Sequence, residues 1–252
     1  MSDSQEMELT FWEHLDVLRG SIIRILAVSV VCAVVAFFFK EQVFGILLAP
    51  KDSSFITHRL MGGEPFTIHL MNTGITEQFM IHMKTAFCIG LICASPYILY
   101  VLYKFISPAL YQQEKHYAGR IVGSAYIMFM LGVVINYLLI FPLTVRFLGT
   151  YQVSSEIDNM LTIQSYMDTL LMMSVVFGIV FEIPVVSWLL GLFGLLKSEW
   201  MVEYRRHAVV TILILAAIIT PTGDPFTLSI VSVPIWLLYE ASIWIVKGTE
   251  KK

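Results

Sequence analysis

The sequence predicts an all-α, polytopic membrane protein with six transmembrane helices and both termini on the cytoplasmic side. Three observations predict it. Hydrophobic residues make up 57% of the chain and charged residues only 14%, where a soluble globular chain carries about 25% charged residues. Apolar runs of helical length recur six times, each too continuous for the alternating polarity of barrel strands. With an inward N-terminus, eleven of the 16 Lys and Arg residues fall on the cytoplasmic side, as positively charged loops dictate.

Residues 1–20 are expected to form a cytoplasmic amphipathic helix. Thr10 and Glu13 fit a capping box, so the helix should begin at Thr10. Phe11, Trp12, Leu15, Leu18 and Ile22 then form an apolar stripe, with Glu13 and Asp16 on the polar side. Such a helix lies along the membrane surface and turns into the first span. Its acidic face is either a solvated anchor face or a carboxylate patch for a cationic ligand. No basic segment precedes it, so neither a cleaved signal peptide nor a transit peptide is expected.

The spans are expected at about 21–39, 79–107, 121–149, 165–192, 207–220 and 225–246, within one domain covering 1–252. The second and third reach roughly 40 Å, whereas the fifth covers only about 20 Å. The sixth has only about 15 uncharged residues before Glu240. Two short C-terminal helices, joined by TPTGDP, are therefore expected either to thin the bilayer or to sit inside a bundle. Pro96, Pro142, Pro184 and Pro234 interrupt the hydrogen-bond ladders of their helices, and the bends can build a concave wall.

Two further polar features stand out. In KFISPALYQQEKHYAGR, Ser107 and Pro108 mark a helix start, and Glu114 follows among Lys115, His116 and Arg120. Glu114 is either a partner of those bases or, with Glu13 and Asp16, an acidic site on the same membrane face. Adjacent guanidinium groups could each take a planar carboxylate there, in a bidentate geometry that Lys does not reproduce. The other feature is Glu182, in the apolar stretch MSVVFGIVFEIPVVSWLLGLFG. A carboxylate placed there costs at least about 2.5–3.5 kcal/mol. Lys84 lies at a different depth, so no direct pair is expected. Glu182 should be protonated and hydrogen-bonded to a neighbouring helix, or face a water-filled recess.

Other functions lack their residues. No HExxH, phosphate-binding Gly-rich loop, Ser elbow or Cys-x-x-Cys is present, and the six His residues have no metal-ligand spacing. No enzyme, cofactor or metal is therefore expected. Cys32, Cys88 and Cys93 lie in apolar runs as small hydrophobes, and the net charge of -3 gives no attraction to nucleic acid.

The chain as a whole resembles the TatC family, the core of the twin-arginine protein translocase. The matching elements are His14-Leu15 with Leu18-Arg19, Ala49-Pro50, and Ser95-Pro96-Tyr97-Ile98-Leu99-Tyr100. They continue with Phe105-Ile106-Ser107-Pro108-Ala109-Leu110-Tyr111, Glu114, Phe141-Pro142-Leu143 and Phe181-Glu182-Ile183-Pro184-Val185. Thr220-Pro221, Asp224 and Tyr239-Glu240 complete the set.

The resemblance implies a receptor in the bacterial cytoplasmic membrane for signal peptides bearing an Arg-Arg pair. It further implies transport of folded proteins, driven by the proton gradient, with TatA- and TatB-type single-span partners and with self-association in a complex. It assigns signal-peptide binding to Glu114, Asp16, Glu13, Arg19 and Phe105, and an intramembrane polar role to Glu182. Thr220, Thr227 and Ser229 would contact a partner helix, while Pro50, Pro96, Pro108, Asp224 and Glu240 would be structural.

Two departures are visible. Many relatives place an acid where Val17 stands, so here Asp16 or Glu13 takes that role. Many relatives also read T-P-P-D followed by a Gln, where this chain has TPTGDPFTL with Gly223 added and Leu228 at the Gln position. The alternative functions are a proton-coupled small-solute carrier with Glu182 as its proton site, and a structural scaffold. A carrier often shows internal repeats, of which the sequence has none; a scaffold leaves the cytoplasmic acids without a ligand.

Overall fold

Long apolar runs free of adjacent helix breakers become long helices, and the Pro and Gly positions decide where they stop. The fold is a computed structural model that describes residues 11–62, 66, 68–106, 118–152, 160–220 and 224–250. In chain order the helices are α1 Phe11–Phe38, α2 Lys40–Leu47, α3 Ile56–Met61 and α4 Glu77–Ile106. They continue as α5 Ala118–Ile135, α6 Phe141–Thr150, α7 Ile163–Val180, α8 Ile183–Leu192, α9 Ser198–Glu203, α10 Arg205–Ile219 and α11 Pro225–Thr249. The fold is thus all-α apart from one two-residue parallel ladder, in which Leu70 and Met71 pair with Leu161 and Thr162. It ties together the loops that precede α4 and α7.

Five helical stretches are long and apolar enough to cross a membrane: 15–38, 77–105, 119–150, 163–192 and 225–249. The sixth span is α10, whose 15 residues reach only about 22 Å. Two expectations change. The first span was expected to begin with a surface helix that turns, yet α1 is unbroken for 28 residues. Gly20 alone does not stop it, and no Pro lies within it. The last helix is also not short: α11 runs for 25 residues, and Glu240 within it pairs with Arg205 at 2.8 Å.

The prolines act unequally. Pro96 and Pro234 sit inside unbroken helices. Before Pro142 the chain takes a wide π-helical turn, Asn136–Ile140, a common response to a defect in the ladder. Pro142 has no N–H to return to the carbonyl of Leu138, and the hydroxyl of Thr57 donates to that carbonyl instead. At Pro184 the helix does break: the N–H of Glu182 donates to Ile179 at 3.0 Å, a tightened turn between α7 and α8.

The core sits along α7. Half of the most apolar window of 163–192 is buried inside the chain, against 6% for 15–38, so α7 is the central post and α1 lies outside it. Met167, Leu170, Met173 and Phe177 are fully buried there. α1 packs on α4, α5 on α7, and α8 and α10 on α11. Gly90 backs onto Ala33, where an added Cβ would come within 2.6 Å of backbone. The three cysteines are free, and Cys93 is exposed rather than buried.

The end opposite the α1 N-terminus is closed by a polar cap. The hydroxyls of Tyr137 and Tyr166 donate to the carbonyls of Ile46 and Leu47 at 2.6 and 3.0 Å, satisfying the C-terminus of α2. Buried His58 donates from Nε2 to the carbonyl of Pro50 at 3.0 Å, and its ring meets Phe66 edge-on. Burial holds the imidazole below its ordinary value of 6.5, opposed by the Pro50 bond and assisted by the charge of Arg146.

Because the folded protein binds this proton less readily than the unfolded chain, stability should fall as pH drops below 6.5 towards the folded value. Thermal unfolding in detergent should therefore show a lower midpoint at acid pH. His58→Gln should reduce that pH dependence, and an unchanged dependence would remove His58 as its cause.

Candidate functional site

The first group of candidate residues lies at the end of the bundle that carries the α1 N-terminus. Gly90 touches Ala33, and Nε2 of His82 lies 3.1 Å from the carbonyl of Phe37. The two contacts run in opposite directions along the chain, so α1 and α4 are antiparallel. With equal rise per residue, this register brings Asp16 and Arg19 level with the end of α4, where half-buried Phe105 stands. Asp16, Val17 and Arg19 all expose their side chains. Glu13 occupies the first turn of the described helix. Glu114 and Pro108 lie outside the described residues.

The second group centres on Glu182. α4, α5, α7 and α8 enclose an almost entirely apolar recess of about 530 Å³, lined by Leu91, Ser95, Phe129, Ile179 and Glu182 among others. Among the described residues Glu182 is its only carboxyl. The break before Pro184 puts this residue in a turn, yet both of its backbone groups are bonded: its N–H to Ile179 three residues back, and its carbonyl to the N–H of Val186 at 2.9 Å. The side chain is half-buried, and its Oε1 is buried with no hydrogen-bond partner among the described residues. The expected bond to a neighbouring helix is therefore not formed at that oxygen. The carboxyl faces the recess.

Sequence reasoning missed how the nearby charge is paired. Lys84 meets Asp168 at 2.9 Å, two turns of α7 above Val175 of the recess. Counting Asp168 as part of the fourth span would have put an acid near the same membrane face as Lys84, but not the contact between them. The pair is partly open, with side chains 46% and 40% exposed, so its contribution to stability is modest. A buried link was missed too: Nδ2 of Asn136 donates to Ser174 at 2.9 Å, whose hydroxyl donates to Leu170 at 2.7 Å. A polar residue at a fully buried position, six residues before a proline, was the available signal.

At the turn between α10 and α11, Asp224 caps α11 by accepting from the N–H of Thr227 at 2.7 Å, and Glu240 is the partner of Arg205. Pro50 is buried and supplies the carbonyl that His58 binds, while Pro96 is contained within α4. Thr220 and Thr227 are buried inside the chain, and Thr220 returns its hydroxyl to Ala216 at 2.9 Å. Ser229 alone of the three presents its side chain at the surface.

A family model described as Sec-independent protein translocase protein (TatC) matches residues 13–234. The chain belongs to the TatC family. It is 31% identical over 264 residues to the TatC of Blattabacterium sp. subsp. Periplaneta americana, covering 99% of both chains. It is 33% identical to the TatC of Aquifex aeolicus, covering 95% of this chain and 96% of that one. The fold superimposes with a TM-score of 0.80 on a crystal structure of twin arginine translocase receptor TatC, at 31% identity, covering 94% of this chain and 99% of that one.

As a TatC family member the chain is a multi-pass protein of the bacterial membrane and a component of the Tat translocase. It is a transport subunit and not an enzyme. Membership places it with protein translocases rather than with small-solute carriers.

Proposed function

We propose that this chain receives signal peptides bearing an Arg-Arg pair at the end where α1 begins, with that end facing the cytoplasm. Folded proteins then cross the membrane with TatA- and TatB-type single-span partners, driven by the proton gradient. The observation that carries the reading is the placement of exposed Asp16 and Arg19 level with Phe105 at the end of α4. Glu114 takes one guanidinium, and Asp16 or Glu13 takes the other from the position that Val17 leaves without an acid. Arg19 and Phe105 border the site.

Glu182 offers a carboxyl inside the recess, where a neutral or hydrated acid eases entry of a peptide or partner helix. Ser229 contacts a partner helix on ground shaped by buried Thr220 and Thr227. Self-association completes the complex.

The test is peptide binding to the purified protein in detergent. An Arg-Arg peptide should bind at least about tenfold more tightly than its Lys-Lys counterpart, since a bidentate charge-assisted pair is lost. Glu114→Ala should abolish most of that preference. Equal affinity for the two peptides, or an unchanged preference in the variant, would count against the receptor reading. Single replacements of Asp16 and Glu13 decide which acid serves the second arginine.

A further inference from the structure

At the end of the bundle where α1 begins, two clefts of about 590 and 630 Å³ meet at Glu203 of α9. The first lies between α9 and the last turns of α11 and holds Glu199, Arg205, Trp244, Lys247 and Glu250. The second holds Trp200, Tyr204 and Tyr239 over an apolar floor of Ile183 and Leu196. Trp244 is 77% and Trp200 47% exposed, which suits the headgroup level of a bilayer, where Trp and Tyr collect.

The charges in this double cleft are unevenly spent. Arg205 is bound to Glu240 at 2.8 Å. Glu250 accepts from the hydroxyl and the N–H of Ser198, both at 2.6 Å, and these bonds hold its carboxyl below the ordinary 4.5 and ionised. Lys247 lies in the field of Glu250 but forms no hydrogen bond or ion pair among the described residues. Glu199 and Glu203 form none either, and both are exposed. Two acids and one base without a hydrogen bond or ion pair among the described residues are left to face a ligand, next to four aromatic rings, with Lys197 5.5 Å over the ring of Trp200.

We propose that the double cleft is a phospholipid site for a phosphoethanolamine headgroup. Lys247 donates to the phosphate, and Glu203 accepts from the primary ammonium between Trp200, Tyr204 and Tyr239. The surplus of acid disfavours a headgroup that is only anionic. Aromatic faces favour any cationic headgroup, but only an ammonium with N–H bonds can donate to the carboxylate, and a trimethylated one has none. Glu199 stands at the rim and adds to the negative field around the ammonium.

The full chain is purified in detergent and incubated with phosphatidylethanolamine, phosphatidylcholine and phosphatidylglycerol at equal mole fraction. Native mass spectrometry then counts the lipids retained. Phosphatidylethanolamine should be retained about threefold or more over each of the others. Glu203→Gln should remove that preference, and Lys247→Gln should lower retention of all three.

Glu203 is exposed and unpaired, so its variant should fold. A thermal midpoint equal to that of the wild type confirms that the comparison is like for like. Soluble phosphoethanolamine at the same concentration should fail to displace the lipid, because it lacks the acyl chains. Equal retention of the three lipids, a preference for phosphatidylglycerol, displacement by the soluble headgroup, or an unchanged preference in Glu203→Gln would each overturn the proposal.

Discussion

Gly132→Ala is expected to lower the thermal unfolding midpoint of the purified protein by about 5–10 °C. Gly132 lies in α5 where that helix crosses α7. A Cβ built there would stand 2.5 Å from the carbonyl oxygen of Phe177, 2.9 Å from its carbonyl carbon and 2.9 Å from Cβ of Phe181. Those neighbours are backbone and the root of a side chain, so none can rotate aside. The helices must separate instead, at the point where fully buried Phe177 anchors the core. Forced overpacking of this kind costs about 1–3 kcal/mol, and separation would also pull on the Asn136–Ser174 bond, which joins the π-helical turn after α5 to α7.

Gly123, on the same helix, supplies the control, because a Cβ there meets nothing within 4 Å. Gly123→Ala should leave the midpoint unchanged or raise it slightly through helix propensity. Should Gly132→Ala melt with the wild type while Gly123→Ala does the same, the close crossing of α5 and α7 is wrong.

Transport should depend on Glu182 through its polarity more than through its charge. Glu182→Leu is expected to reduce export of an Arg-Arg reporter about tenfold or more, while Glu182→Gln keeps a larger share. The recess is almost wholly apolar, and leucine removes its only carboxyl among the described residues, leaving Ser95 and Tyr103 as its polar side chains. Glutamine has the same length, carries no charge, and can accept a hydrogen bond from an entering peptide or from water as a protonated carboxyl does. The loss of one such bond in a dry site is worth about 1–3 kcal/mol, which corresponds to about a tenfold effect or more. Export by Glu182→Leu at or above the level of Glu182→Gln would refute the idea. Both variants must first be shown to accumulate in the membrane, since a cavity-lining substitution can also act on folding.

Much of this protein was legible in its residues because hydrophobicity and proline act locally. Continuous apolar runs set where the spans lie, and the observed helices at 77–106, 163–192 and 225–249 follow them within a few residues. Glu182 announced itself as an acid without a nearby base. The family was legible in the ordered motifs, whose agreement in sequence order leaves few other origins.

What the residues could not show are pairings across distance. Lys84 and Asp168 are 84 positions apart, and nothing in either segment states that α4 and α7 place them side by side. Thr57 and Leu138, 81 positions apart, are joined in the same way. The uninterrupted course of α1 was also misjudged, where local polarity suggested a surface helix that turns. The last span was expected to be short because Glu240 was counted as its apolar limit, yet the charge does not interrupt α11.

By itself the sequence determined the kind of molecule this is. Its excess of apolar side chains leaves the bilayer as the medium in which they are stable, and in that medium the backbone must close its hydrogen bonds within helices. Only the tertiary structure decided which helices touch, which charges are neutralised and that Glu182 faces an apolar recess. Those outcomes depend on the packing of surfaces far apart in the chain, where a single glycine or a shared carbonyl sets the distance between two helices.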